Sequence, residues 1–274
     1  CAPVDPVIAA LKDFQYPDGG FGHALEPDLR TPDSSVLCTS IAFQIIRTLP
    51  AHSGTELALP AINYLLETFD PQQTHWPIIP KSAQASPHAP WWDASGDTDT
   101  PDAFSLNPTA EILGYLYDYQ QQVPATILSA VTERVVSHLA DTDSLEMHDL
   151  LCCLRLIKTQ TLPETVRHQI QQILAQQISS TVSQDPNEWS GYCLRPLQVI
   201  DGPDSPFSPG LEDAIAANLD YEIASQTDNG SWSPTWSWGD CFPDAWQQAQ
   251  QDWSGMITLD TLLLLKCFGR ISGI

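Results

Sequence analysis

Apolar residues recur at three- and four-residue spacing through five stretches of the chain, roughly 5–15, 55–70, 123–140, 162–180 and 208–225, with polar residues between them. Segments such as "PAINYLLETF" and "LEDAIAANLDYEIASQ" carry a one-sided apolar stripe, the mark of a helix that buries a single face. A second set of segments alternates with the first: "SSVLCTSIAFQIIRTL" (34–49), "NPTAEILGYLYDY" (107–119), "SLEMHDLLCCLRLIK" (144–158), "YCLRPLQVI" (192–200) and "GMITLDTLLLLKCF" (255–268). These are apolar nearly all round and are expected to be covered on both sides. Asp33-Ser34, Asn107-Pro108 and Asp143-Ser144 supply capping side chains at three of their starts, with Pro108 where a first-turn proline is tolerated. Strand patterns are almost absent. An alternation of amphipathic and nearly apolar helices is what two concentric helical rings require, so the pattern predicts an all-α fold: one (α/α) barrel of about five to six helix pairs spanning residues 1–274.

Two short stretches fall where an outer helix ends and the chain turns inward. "QTDNGSW" (226–232) and "QYPDGGFG" (15–22) each place a glutamine six residues ahead of an aromatic ring, with glycine between. Glycine supplies a positive-φ turn, the ring packs over the helix end, and the glutamine amide bonds free backbone groups there. "QTHW" (73–76) and "NEWSGY" (187–192) read as degenerate copies.

Charge changes the picture next. With 34 acidic against 11 basic side chains the formal net charge is −23, which repels phosphate backbones and makes nucleic acid an unexpected partner. The seven cysteines show no Cys-x-x-Cys spacing and read as reduced, mostly buried thiols of a cytoplasmic protein. No apolar run approaches the length of a membrane span, and no signal peptide is evident.

The stretch Gln226 to Trp232 resembles the QW repeat of squalene and oxidosqualene cyclases, and Gln15 to Phe21 resembles a second copy. The resemblance implies the α/α toroid of that superfamily, which also serves protein prenyltransferase β subunits and complement thioester domains. Prenyltransferases hold zinc with Asp, Cys and His; Asp240 and Cys241 are adjacent, but no histidine follows them, so no metal is expected. The Gly-Cys-Gly-Glu-Gln run of thioester proteins is missing. Class II terpene cyclases use a strong carboxylic acid, the middle Asp of a DxDD-Thr-Ala motif, to protonate an alkene or epoxide. Here Thr109-Ala110 match the motif's end, but the DxDD positions become Ser105, Leu106, Asn107 and Pro108, without a carboxylate. Immediately upstream, "WWDASGDTDTPDAF" carries Asp93, Asp97, Asp99 and Asp102. The proton donor is therefore expected in this loop, Asp99 first, then Asp102 and Asp97. Such a donor must be uncharged near neutral pH, a bias of roughly 4 kcal/mol against the ionised form, and burial beside another carboxylate pushes that way.

Carbocations need shielding from water and stabilisation without a nucleophile, and aromatic faces give both. Trp76, Trp91 and Trp92 precede the helix at 107; Trp232, Trp236, Trp238, Trp246 and Trp253 precede the last inner helix, and the segments 75–106 and 232–253 read as long loops closing one cavity mouth. Tyr115, Tyr119 and Tyr192 are expected to line its wall, with Asn107 and Trp189 as further contacts. His75, His88, His148 and Glu111 are weaker candidates for orienting the acid or taking up a final proton. Basic residues are scarce, so Arg155 and Arg195 stand out as anchors for an anionic head group, with an internal ion pair as their ordinary alternative.

The chain is long enough for one toroid, and with its unconventional acid it resembles the monodomain meroterpenoid cyclases. That resemblance implies a polyprenylated aromatic acid folded into a fused polycycle, no cofactor, no protein partner, and transient contact with a membrane for substrate uptake. Two alternatives stay open: a non-catalytic toroid that binds prenyl or lipid compounds, and a polysaccharide-acting α/α barrel using paired carboxylates and tryptophan platforms.

Overall fold

A computed structural model describes residues 4–93 and 104–272. The fold is all-α, and no strand occurs among the described residues. Ten helices follow in chain order: α1 (Val4–Lys12), α2 (Val36–Thr48), α3 (Thr55–Glu67), α4 (Leu106–Asp118), α5 (Ala125–Asp141), α6 (Met147–Ile157), α7 (Glu164–Thr181), α8 (Pro196–Val199), α9 (Glu212–Ala224) and α10 (Pro243–Cys267). α2, α4, α6 and α8 pack against one another in succession, and each pairs with the helix that follows it: α3, α5, α7 and α9.

Burial separates the two sets as the periodicity requires. On α5 only Val131, Val135 and Leu139 are buried, a single stripe at four-residue spacing. On α4 every residue from Pro108 to Tyr117 is buried. One contiguous cluster of buried apolar side chains runs from Leu11 to Leu265. Capping is local and matches the sequence to within a residue or two. Ser35 accepts from the Cys38 amide at the start of α2, and Ser105 from the Asn107 amide at the start of α4.

The two QW-like stretches are one structural element built twice. Gln15 Nε2 donates to the Gly19 carbonyl at 2.9 Å, and Gln226 Nε2 donates to that of Gly230 at 2.8 Å. Gly19 and Gly230 have φ of 89° and 85°, the left-handed region that glycine enters without strain. The first copy is tied to a neighbour as well: Gln15 Nε2 also reaches the Leu57 carbonyl, 2.8 Å away, in the turn of α3 ahead of Pro60.

The tryptophans after the outer helices share a role. Trp232 Nε1 donates to the Glu222 carbonyl in the last turn of α9, Trp76 Nε1 to that of Leu65 in the last turn of α3, and Trp189 Nε1 to Ser183 just past α7. Each indole fills the space over a helix end and satisfies a carbonyl there.

Two expectations fail at the C-terminal side. Residues 243–254 are not loop but the first half of α10. The run "WQQAQQDW" hides its helix because few of its positions are apolar. The segment 255–268 is not covered on both sides either: Leu259 and Leu263 are exposed, and of α10 only Ala249, Thr261 and Leu265 are buried.

Candidate functional site

The inner helices begin at one end of the fold, where three loops meet. Asp28 accepts through its backbone carbonyl from the Ala89 amide at 2.8 Å, and Arg30 N donates to the Pro87 carbonyl at 3.1 Å. Ala89, Trp238 and Ala249 form a small buried cluster, with Trp92 and Trp246 packed against it. The described parts of the loops ahead of α2, α4 and α10 are therefore joined to one another at this end.

Asp28 is the focus of this end. Its side chain is 3% exposed, and its Oδ1 accepts from Trp238 Nε1 and Trp253 Nε1, both at 2.8 Å. Trp236 Nε1 is buried outside hydrogen-bond geometry, yet near enough to favour the ionised form of Asp28. Desolvation outweighs these donors and Arg30, and the Asp28 carboxyl is raised above its usual range. Glu26, two residues away and 6% exposed, is raised further, by desolvation first and by the charge of Asp28 second. Arg30 offers limited help because it pairs with Asp252 at 3.1 Å.

Aromatic rings continue from there. Trp253 meets Trp236 edge to face at 5.1 Å between centroids, and Trp236 meets Tyr192 in the same way at 5.8 Å. The Tyr192 hydroxyl and His148 Nε2 are 2.7 Å apart. His148 lies in the first turn of α6, so the wall joins the loop before α8 to the inner helix beside it.

Deeper down the helices a polar belt replaces the rings. Glu111 of α4 is almost fully buried; it accepts from Arg155 Nη1 at 3.0 Å and from Gln44 Nε2 at 3.2 Å to each oxygen. Burial works against the Arg155 charge, and Glu111, Cys152 and Tyr115 together more than offset it. Cys152 Sγ donates to Asn107 Oδ1 at 3.6 Å, while the Asn107 amide is held by Asp149 Oδ1 at 2.9 Å. Asp260 of α10 is raised by desolvation and lowered by Arg155. Arg155 (37% exposed side chain), Asp260 and Tyr192 (56% exposed) are reachable by water yet strongly desolvated. Neighbouring side chains thus desolvate groups that water still reaches. Tyr192 shows the effect as a phenol pushed up to about 12.

Several sequence expectations are redirected. Trp76, Tyr115, Trp189 and Trp238 are buried, so none presents a face to a ligand: Tyr115 stacks on Phe43 at 4.7 Å, and Trp238 serves Asp28. Arg195 is not an anchor; its Nε lies 3.0 Å from Glu222 Oε1 on α9, an internal ion pair. His75 is buried in a turn with Asp70, and His88 Nδ1 lies 2.6 Å from the Ser86 carbonyl. Asn107 and Arg155 meet at the Cys152 thiol, and Tyr192 meets Trp236 edge to face; Trp91 is exposed, and Trp92 packs beside Trp238. Asp93 is exposed, and Asp97, Asp99 and Asp102 lie outside the described residues. Glu26 and Asp28 escaped the sequence reading. Their only signal was "EPD", two carboxyls flanking a proline just past the first QW-like turn.

Buried carboxyls give a pH dependence of definite sign. Glu26, Asp28 and Asp149 hold their protons above the pH at which an unfolded chain, with reference values of 4.5 for Glu and 3.8 for Asp, releases them. Above those values the folded state binds more protons than the unfolded one, so stability falls as pH rises. The Tm is expected to decline from about pH 5 to about pH 8, and Glu26→Gln should flatten that decline and raise the Tm at neutral pH. A Tm that rises over this interval, or an unchanged slope in Glu26→Gln, contradicts the assignment.

No helix among the described residues is long and apolar enough to cross a membrane, and the six cysteines among them are free thiols. No protein-family model matches this chain, and no curated protein or solved structure is significantly similar to it.

Proposed function

We propose that this protein is a class II, protonation-initiated cyclase that folds a polyprenylated aromatic acid into a fused polycycle inside a single α/α toroid. The observation that carries the reading is the edge-to-face row of Tyr192, Trp236 and Trp253, with the desolvated carboxyl of Asp28 hydrogen-bonded to Trp253. Protonating an alkene leaves a tertiary carbocation, and ring faces stabilise it by about 0.5–2 kcal/mol each when water is excluded. Arg155 anchors the substrate's carboxylate, since Glu111 occupies only its Nη1. Seven residues separate it from His148 at the mouth, about 10 Å along α6. The head group thus sits at depth, with the prenyl tail directed to the aromatic end. The reaction is an isomerisation without metal or cofactor, in a cytoplasmic protein that takes its substrate from a membrane.

The test is incubation with farnesylated and geranylgeranylated hydroxybenzoates, followed by a search for products of unchanged mass. A new isomer supports the reading; unaltered substrate across the panel, with binding retained, replaces it by a prenyl-binding module. The polar belt of Glu111, Arg155, Asn107 and Asp260 favours a second reading, a ligand rich in hydroxyl groups such as an oligosaccharide. Binding of an oligosaccharide panel, with indifference to prenyl compounds, selects it.

A further inference from the structure

Glu26 and Asp28 flank Pro27 in one turn of the loop ahead of α2, and both are almost wholly buried. The groups that act on them come from four directions. Arg30 lies on the same loop, engaged by Asp252; Cys38 lies on α2; Tyr192 stands ahead of α8; and the indoles of Trp236, Trp238 and Trp253 come from α10 and the loop before it. No cation is paired with either carboxyl among the described residues. Two carboxylates sharing such a pocket repel each other in a poorly solvated space, and one is relieved by keeping a proton.

Geometry decides which. Asp28 Oδ1 receives two indole N–H groups, donors that suit an ionised oxygen. Glu26 meets only the backbone amides of Asp28 and Leu29, and its Oε2 is buried with no hydrogen-bond partner, an arrangement tolerable for a neutral acid and costly for a carboxylate. Asp28 is bonded to Trp253, which meets Trp236 and through it the exposed ring of Tyr192, so the Glu26-Pro27-Asp28 turn stands directly behind the aromatic row.

We propose that Glu26 and Asp28 form a one-proton pair and serve as the acid of the cyclisation, Glu26 as donor and Asp28 as its ionised partner. The assignment rests on the cyclase reading for its substrate, while the shared proton stands independently of it. In the step, the O–H bond of Glu26 breaks as the π electrons of the terminal alkene form a C–H bond to that proton. The tertiary cation so formed is captured by the next alkene, closing a ring. A proton lost to water from the carbon beside the last cation forms the final double bond, and Glu26 takes up a proton from water to restore the acid, so substrate and product have equal mass.

Two measurements test this separately. Infrared difference spectra of the wild type at neutral pH should show the carbonyl stretch of a protonated carboxylic acid that Glu26→Gln removes; its absence from the wild type, or its persistence in Glu26→Gln, overturns the pair. Isomer formation from geranylgeranylated hydroxybenzoate should fall roughly 10²–10⁴-fold in Glu26→Gln, with the circular dichroism spectrum and substrate binding retained. Undiminished turnover in Glu26→Gln, with loss in Asp99→Asn or Asp102→Asn instead, overturns the assignment and leaves the cyclase reading standing. A wild type that forms no isomer removes the cyclase reading and the catalytic role together, whatever the infrared band shows. Asp28→Asn gives a second readout: without the Asp28 charge, Glu26 ionises at lower pH, so the alkaline limb of the pH–rate profile should move toward acid. A limb that stays in place overturns the coupling.

Discussion

Gly19→Ala should lower stability by at least about 4 kcal/mol, enough to threaten folding, whereas Gly230→Ala should cost only about 1–2 kcal/mol. Both glycines hold the left-handed turn of a QW-like element, with φ of 89° and 85°. A Cβ at position 19, however, would stand 2.3 Å from the Pro60 carbonyl oxygen and 2.7 Å from its carbon. That is backbone of α3, held by the helix's own hydrogen bonds, and it cannot move aside as a side chain would. A Cβ at position 230 would meet only Gln226 Nε2, at 3.9 Å, so just the strain of the left-handed conformation remains. Urea denaturation of the two variants compares them directly. Equal losses would mean that the first turn is not pressed against α3.

Trp189→Ala should destabilise by about 3–5 kcal/mol, the range for deleting a large buried aromatic side chain. The ring is 0% exposed, meets Tyr221 in a T-shape at 5.5 Å, and gives its Nε1–H to Ser183 at 2.9 Å. Truncation opens a cavity and also frees the carbonyl that ends the turn after α7. Trp236→Ala, by contrast, removes a partly exposed ring of the site wall and should cost far less stability. If Trp189 were instead a substrate contact, its loss would weaken ligand binding at undiminished Tm, and the clasp role assigned to it would be wrong.

The tryptophans show where sequence reading reached its limit. Clustering in irregular segments suggested a lining for a cavity; Trp236 does lie in a loop and meets Trp253, which the structure places within α10. Trp76, Trp189 and Trp232 cluster outside helices for another reason: each sits just past an outer helix because it closes that helix's end. The two uses produce the same local sequence, tryptophan in a polar turn, and differ only in what lies beneath the ring. The arginines divide in the same way. Arg155 and Arg195 both belong to inner segments, but Glu222 on the outer helix α9 takes Arg195, while the partner of Arg155 lies on the neighbouring inner helix α4.

Helix positions up to α9, the alternation of one-sided and two-sided burial as far as α7, and the chemistry of the two Gln-Gly-aromatic turns were determined by the sequence alone. Each depends on residues within a turn or two of one another, so the interacting partners are already adjacent in the chain. The site was decided by tertiary structure. Asp28 owes its character to Trp238 and Trp253, 210 and 225 residues away, and to desolvation by walls drawn from several helices. Glu26, between a leucine and a proline, looks like a loop acid until those walls close around it. Desolvation depends on everything within reach in space, and chain order does not contain that until the fold brings its two ends together.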